Sequence, residues 1–417
     1  MKKLDFLFDQ EILINGVDSG NISNKVTYIN EKGDIDYINI PSIIGVNADA
    51  IAADLGDMES EEKTFPDEFI LHVNIKSPAL PKNRANAFYT VGEYAQLTSS
   101  PENLLETNSA EAQDKLGAEI HVVTTLTALA LAAWKSNKAD EVKIPLSFGL
   151  PIEEARKTAN ERMTLFIGKH IVTAVDGPYK GKTVTLDITE VRQNVEGVTS
   201  YLGLVYDLVE GQIVKTGFRK QMLKEFAVSD LGAGTFDIGL FDENGLNSRK
   251  STNYEIGTNA YIDRMMKDII LMPEFEKNVA RAKRANVEPK ISFTREEFMR
   301  KFIKPIIHRS ITESNYKAVY EVSWQSKTAD ATAIIEKHMK DYADEVRAKI
   351  DAYFTSTNVG QMLIVGGGLL FSYKFLKDLV DEDCLFPQNL EEAGYFTSKA
   401  YLLKNITLEL AKQTAKA

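Results

Sequence analysis

The 417-residue sequence predicts an α/β protein built as two similar lobes, and three observations carry that expectation. The chain is longer than one core ordinarily serves, since single hydrophobic cores stop growing at about 250–300 residues. Strand hairpins followed by helical periodicity occur twice along the chain, the second time without any repeat of sequence. In each half, one strand runs into a glycine-containing turn that opens with an aspartate.

In chain order, residues 11–17 are apolar and β-rich, and residues 25–30 and 35–40 flank the turn signal Glu31-Lys32-Gly33-Asp34, so they read as a hairpin. Residues 59–63 are a short charged loop, and 68–75 and 87–94 are further strands. Over 110–138, apolar residues at Leu116, Ile120, Val123, Leu126, Leu129 and Ala133 keep a helical spacing. Residues 141–150 return to strand and stop at Pro151. The second half opens with strands at 225–230, 235–241 and 246–255, with Asn244-Gly245 as a turn. Helices are expected at 258–271, 295–307 and 341–353. A buried-type strand, 361–365, enters Gly366-Gly367-Gly368, and helices at 369–379 and 398–412 follow. The lobes are expected to join near Pro151 and again near Gly368.

Composition narrows the function. Hydrophobic residues make up 44% and charged residues 26%, which is ordinary for a folded domain. The 49 basic and 60 acidic residues leave a net charge of -11, so the chain gains nothing from the long-range phosphate attraction that drives direct nucleic-acid binding. The one cysteine, Cys384, allows no intramolecular disulfide and fits a reducing cytoplasm. Asp5 and Asp9 interrupt the apolar N-terminal run, no signal-peptide core is apparent, and no apolar stretch approaches the ~20 residues of a membrane span. The chain reads as soluble and cytoplasmic. His72, His121, His170, His308 and His338 show no zinc-site spacing. Arg281, Lys283 and Arg284 form a basic helix face, either a solvated surface or a contact for a partner.

Three motifs carry chemistry. Asp230-Leu231-Gly232-Ala233-Gly234-Thr235-Phe236-Asp237 follows a strand, and glycines on either side of Ala233 let consecutive N–H groups converge on an anion. Thr235 offers a hydroxyl, and the aspartate suits Mg²⁺, a hard ion that keeps most of its waters. The same residues also suit an ordinary glycine hairpin. Asp18-Ser19-Gly20-Asn21-Ile22-Ser23-Asn24-Lys25 also follows a strand and supplies a carboxylate, a flexible turn and a cation, although Asp-Ser-Gly is a common turn. Gly366-Gly367-Gly368 lets a flat ring or sugar approach the main chain, or simply makes a tight helix start. It lacks the Gly-x-Gly-x-x-Gly pattern of a dinucleotide fold.

In order and spacing, these motifs resemble the superfamily of actin, DnaK-type chaperones and sugar kinases, with its first phosphate, connecting, second phosphate and adenosine segments. Pro41-Ser42-Ile43-Ile44-Gly45 is similar to the actin Pro-Ser-Ile-Val-Gly, and Leu150-Pro151-Ile152-Glu153-Glu154 is similar to the Leu-Pro-x-x-Glu of the ParM family of plasmid-segregation actins. Ile22 stands where conventional actin has a second glycine, as in ParM-like proteins. Residues 56–63 and 281–290 have no clear counterpart.

The resemblance implies an actin-like ATPase fold, two RNase H-like lobes with a nucleotide cleft between them. Lobe I would take residues 1–151 and about 369–417, with an outer part near 33–90. Lobe II would take 152–368, with an outer part near 257–310. Asp18 and Asp230 would hold Mg²⁺ mainly through water. Ser19, Gly20, Asn21 and Lys25 would meet the β-phosphate, and Gly232, Ala233, Gly234 and Thr235 the γ-phosphate. Gly366, Gly367 and Gly368 would border the adenosine, and Gly257 would line the cleft. Glu154 would orient the attacking water, with Glu153 as the fallback and helix-dipole stabilisation as the other reason for an acid there. The nucleotide is ATP, or GTP. The implied activity is an ATPase that polymerises with ATP and moves plasmid DNA through a DNA-bound adaptor of ParR type, with no direct DNA binding and no membrane. The competing expectation is a small-molecule kinase of the same superfamily that does not polymerise. The segment after Gly368 is too short for a DnaK-type substrate domain.

Overall fold

The computed structural model describes residues 4–20, 22–46, 69–100, 102–106, 118–150, 163–195, 199, 201–216, 224–243, 245–289, 293–380, 383–387, 390 and 394–416. The chain divides into two compact units, Met1–Gln221 with Tyr395–Ala417, and Met222–Gly394.

The first unit is organised by a ten-stranded sheet. Its strands are β1 (Asn15–Ser19), β2 (Ser23–Ile29), β3 (Ile35–Pro41), β4 (Ile43–Val46), β5 (His72–Lys76), β6 (Asn86–Val91), β7 (Leu104–Glu106), β8 (Glu141–Leu150), β9 (Gly168–Ala174) and β10 (Thr183–Val195). They lie side by side in the order β3-β2-β1-β8-β10-β9-β5-β6-β4-β7. β1, β2 and β3 form the expected antiparallel meander, β1 runs parallel to β8, and β8 runs parallel to β10. Gly33 adopts φ +88° in the turn between β2 and β3, where Asn30 Oδ1 accepts from the N–H groups of Lys32 and Asp34. A short hairpin, β11 (Tyr206–Val209) with β12 (Gln212–Lys215), completes the unit.

Two helices cover this sheet. The helix Glu119–Lys135 lies within the span 110–138 where a helix is expected, ending three residues early, while residues 110–117 lie outside the described residues; it buries every residue from Ile120 to Trp134. A helix apolar all round belongs inside a core rather than on a surface. Its polar residues are absorbed locally, as where Thr124 Oγ1 donates to the Ile120 carbonyl at 2.8 Å. The helix Phe396–Lys416 packs close to β1: a Cβ on Gly16 would lie 2.1 Å from the Ser398 carbonyl oxygen. Asn405 Nδ2 donates to the carbonyls of Asn15 and Pro145, both at 2.8 Å, and the buried Arg192 on β10 binds Asn405 and Glu409.

The second unit holds a sheet in which β15 (Gly245–Leu246), β14 (Phe236–Asp242), β13 (Phe226–Leu231), β19 (Met362–Val365) and β20 (Cys384–Leu385) lie in that order, with β16 (Thr252–Tyr254) also on β14. β13 is antiparallel to β14 and parallel to β19, and β19 is parallel to β20. This meander followed by parallel strands reproduces the β3-β2-β1-β8-β10 half of the first sheet. The strands of β19, Met-Leu-Ile-Val, are buried throughout, as parallel strands covered on both faces are. The separate hairpin β17 (Glu321–Trp324) with β18 (Lys327–Asp330) and the helices Thr258–Ile270, Thr332–Thr357 and Gly367–Leu376 complete what positions the site.

Several expectations are corrected. Lobe II does not begin at residue 152, because β9 and β10 join the first sheet, β10 in register with β8 from Thr185↔Glu141 to Val195↔Leu150. Nor does the chain return to the first unit at Gly368: the helix Gly367–Leu376 and β20 stay with β19, and the return comes at Tyr395. The expected strand 246–255 is broken, since Asn247 O accepts from the N–H groups of Lys250 and Ser251 and turns the chain. The helix expected over 341–353 starts at Thr332 and runs to Thr357. Around 295–312 the helix is interrupted by a wider turn at Met299–Ile303 that precedes Pro305. Residues 59–63 and Asn244 lie outside the described residues. Among the described residues, no helix is long and apolar enough to cross a membrane.

Candidate functional site

Each unit carries one aspartate turn at the same topological place, where the first strand of the meander hands over to the second. In the first unit, β1 ends Asp18-Ser19 and the Gly20 N–H donates to the Ser23 carbonyl at 3.0 Å. In the second, β13 contains Asp230 and the Gly232 N–H donates to the Thr235 carbonyl at 2.9 Å. A Cβ at Gly20 would lie 2.9 Å from Ser23 O, and one at Gly232 would lie 2.8 Å from Thr235 O. Glycine is therefore set by the same close main-chain approach in both turns.

Around the first turn, Lys25 sits directly opposite Asp18 in the strand register, with Nζ 3.7 Å from the carboxylate. Both side chains are partly exposed, so the pair contributes little to stability and leaves its charges accessible. Ser42 caps the turn, donating its hydroxyl to Gly20 O at 2.7 Å and its N–H to Ile22 O at 2.9 Å. Ser19 differs from its neighbours: it is fully buried, and its Oγ lies 2.8 Å from His121 Nδ1. Asn24 extends the network, donating to Thr125 Oγ1 at 2.7 Å and Thr124 Oγ1 at 3.2 Å. Successive strand residues face opposite sides, so Ser19 looks inward while Asp18 does not. The Ser19 hydroxyl thus supports the turn from behind and is spent on His121. Asn21 lies outside the described residues.

The second turn gathers more of the expected residues. Asp230 pairs with Asp237 on one side and with Val365 on the other. Thr235 Oγ1 donates to Asp237 Oδ2 at 2.7 Å. The helix Thr258–Ile270 starts against this turn, its Thr258 and Asn259 N–H groups donating to the Gly232 and Ala233 carbonyls at 3.4 and 3.0 Å. Gly257, just before it, comes so close that a Cβ would stand 2.1 Å from Ala233 O. Gly366, at φ +97°, lies beside the carboxylate: its Cβ would meet Asp230 Oδ1 at 2.4 Å. Gly368 packs on Leu231 and the Tyr342 hydroxyl, whereas a Cβ on the exposed Gly367 would meet nothing within 4 Å. Asp230, Gly232, Ala233, Gly234, Thr235, Gly257 and the three glycines therefore form one continuous corner within the second unit.

Other sequence candidates fall elsewhere. Glu153 and Glu154 lie outside the described residues. His170 is buried between Ser77 Oγ, 2.7 Å from Nδ1, and the Phe166 carbonyl, 2.8 Å from Nε2, and burial holds its pKa below the usual imidazole value. Cys384 is buried in β20. Among the described residues, no three His, Cys, Asp or Glu side chains converge as a metal cage. The carboxylates at the turns, Asp18 in the first and Asp230 with Asp237 opposite it in the second, suit a hard, largely hydrated ion such as Mg²⁺.

The family model described as the actin-like proteins N-terminal domain matches residues 16–198. Among solved structures, Bacillus thuringiensis ParM with ATP is similar at 32% identity and a TM-score of 0.75, over 96% of this chain and 100% of that one. The same protein with ADP gives 32% identity and a TM-score of 0.74, over 96% and 99% of the two chains. The actin-like protein Alp7A shares the fold at 17% identity, with a TM-score of 0.64 over 96% and 97% of the chains. Against the curated proteins, no match is found.

Proposed function

This chain belongs to the ParM-like actin-like ATPases, and from that premise we propose that it is a filament-forming ATPase whose assembly is timed by the nucleotide it holds. The observation that supports this reading best is the repeated turn, an aspartate strand followed by a glycine whose N–H closes on a carbonyl three residues later, once per unit. Gly20, Asn21 and Lys25 meet the β-phosphate, and Gly232, Ala233, Gly234 and Thr235 meet the γ-phosphate, with the Gly232 N–H itself closing the turn on the Thr235 carbonyl. Ser19 belongs to the site through its main chain, since its hydroxyl is engaged by His121. Gly366 to Gly368 border the adenosine, and Gly257 holds the second turn in place from behind.

Asp18 and Asp230 would hold Mg²⁺, and the ion would supply positive charge to offset that on the phosphates. Glu154 orients the attacking water, with Glu153 as the alternative for that role. Phosphoryl transfer to water needs positioning and charge stabilisation more than a covalent nucleophile, so no other residue need react. ATP favours subunit addition, and hydrolysis weakens subunit contacts. The cargo is plasmid DNA, reached through a DNA-binding adaptor of ParR type, in keeping with a net charge of -11.

Pelleting in the ultracentrifuge with ATP, ADP or no nucleotide tests the whole proposal. Polymer that forms with ATP and declines as phosphate is released supports it. A protein that consumes ATP only when a small hydroxyl compound is present, and never pellets, is a kinase instead. Glu154→Ala should slow turnover about 10- to 1000-fold while nucleotide binding survives.

A further inference from the structure

Tyr342 lies in the middle of the helix Thr332–Thr357, fully buried, and its hydroxyl has no hydrogen-bond partner among the described residues. Leaving a buried hydroxyl without a partner is unfavourable, because its desolvation is not offset by a new hydrogen bond. A phenylalanine would fill the same space without that cost, so the hydroxyl calls for a reason beyond packing.

Its position supplies one. The point that a Gly368 Cβ would occupy is 2.4 Å from the Tyr342 hydroxyl oxygen and 2.9 Å from the Leu231 carbonyl oxygen. Leu231 directly follows Asp230, and its carbonyl lies 2.6 Å from where a Gly366 Cβ would stand. The ring also makes edge contacts with Tyr261, on the helix that begins at the second turn, at 5.2 Å, and with Phe371, on the helix that begins at the glycine turn, at 5.7 Å. One side chain therefore touches both helices that start at the candidate site and the corner where Gly368 meets the aspartate strand. Burial raises the phenol pKa, so the group stays neutral and keeps its proton to donate.

We infer that Tyr342 is a positioning residue of the nucleotide site, whose hydroxyl takes a main-chain acceptor of the Leu231–Gly368 corner when an adenine nucleotide presses on the glycine turn. This rests on the nucleotide reading given above. Tyr342 touches no nucleotide itself. It transmits occupancy of the turn to the helices Thr258–Ile270 and Thr332–Thr357, which Tyr261 also ties together through its hydroxyl on Glu345.

The test compares Tyr342→Phe with Tyr261→Phe on the full chain, measuring the thermal midpoint without nucleotide, the Kd for ADP, and kcat and KM for ATP. Tyr342→Phe should keep or raise the midpoint, weaken ADP binding about 3- to 10-fold, and raise KM with little change in kcat. Tyr261→Phe, which loses a satisfied bond, should lower the midpoint and leave affinity unchanged. The two variants behaving alike, or Tyr342→Phe binding ADP as tightly as wild type, overturns the inference. A wild-type protein that binds no ADP overturns the nucleotide reading instead, and that result appears before either variant is made.

Discussion

Gly257→Ala is the sharpest probe of the second turn, because the added methyl has nowhere to go. At φ -140° the glycine backbone suits any residue, so the substitution introduces no torsional strain. The obstruction is contact alone: the new Cβ would stand 2.1 Å from Ala233 O, 2.4 Å from Ala233 C and 2.5 Å from Gly234 C. All three atoms are main chain, so no rotamer change relieves them. Carbon contacts settle at about 3.5–4.0 Å, which requires the turn and the start of the helix Thr258–Ile270 to separate by roughly 1 Å. That shift also stretches the Thr258 and Asn259 N–H bonds to Gly232 and Ala233. Overpacking of this kind costs about 1–3 kcal/mol, a fall of a few degrees in the thermal midpoint. The effect on chemistry should be larger, since moving a phosphate-positioning group by 1 Å can cost about 100-fold, or roughly 2.7 kcal/mol of barrier. The assay is steady-state phosphate release from ATP, run well below the lowered midpoint, alongside a thermal melt. Wild-type turnover at an unchanged midpoint would refute the idea that this turn is held from behind and positions phosphate.

Three further outcomes follow from the same geometry. Gly367→Ala meets open space and adds a better helix former at the start of the helix Gly367–Leu376, so the nucleotide-free midpoint should hold or rise while ATP and ADP affinity falls; unchanged affinity in equilibrium binding would place the adenosine elsewhere. Ser19→Ala removes the hydroxyl bonded to His121 and should lower the midpoint by the equivalent of about 1–3 kcal/mol, with ATP KM nearly unchanged; a large KM effect would return the hydroxyl to the phosphate site. His170, with its folded pKa held by burial below the ordinary imidazole value of about 6.5, has no effect on stability above that value, where both states are neutral. As pH falls below about 6.5 the unfolded chain binds the proton first, so the midpoint should drop, and His170→Gln should flatten that decline in a pH series of melts.

Both aspartate turns and strand β8 at residues 141–150 were legible in the sequence, because each is set by local composition and period. Other features were not. The strands β9 and β10 alternate visibly, with Val184, Leu186 and Ile188 buried, but nothing local says that β10 completes the first sheet beside β8. Sheet membership is decided by pairing across long sequence separations. Pro151 looked like a lobe boundary because it ends a strand, and a strand end does not reveal where the chain goes next. Ser19 was assigned to the phosphates with the rest of its motif. A signal against it was present, since adjacent residues of a strand cannot both aim their side chains at one site. Tyr342 could not be found at all: in sequence it is one more apolar position of a helix, and its meaning comes only from Gly368 above it.

The helix Phe396–Lys416 has a consequence for how the molecule is made. Ser398 and Leu402 close on Gly16, Tyr401 closes on Gly149, and Asn405 satisfies carbonyls of Asn15 and Pro145, so the central strands of the first unit acquire one of their coverings from residues that follow the whole second unit in the chain. The second unit, by contrast, is contiguous, and it leaves the ribosome whole before that helix does. The usual N-terminal-first order of folding during translation is thereby inverted. A nascent chain that has not yet released this helix would leave the first sheet without that covering along β1.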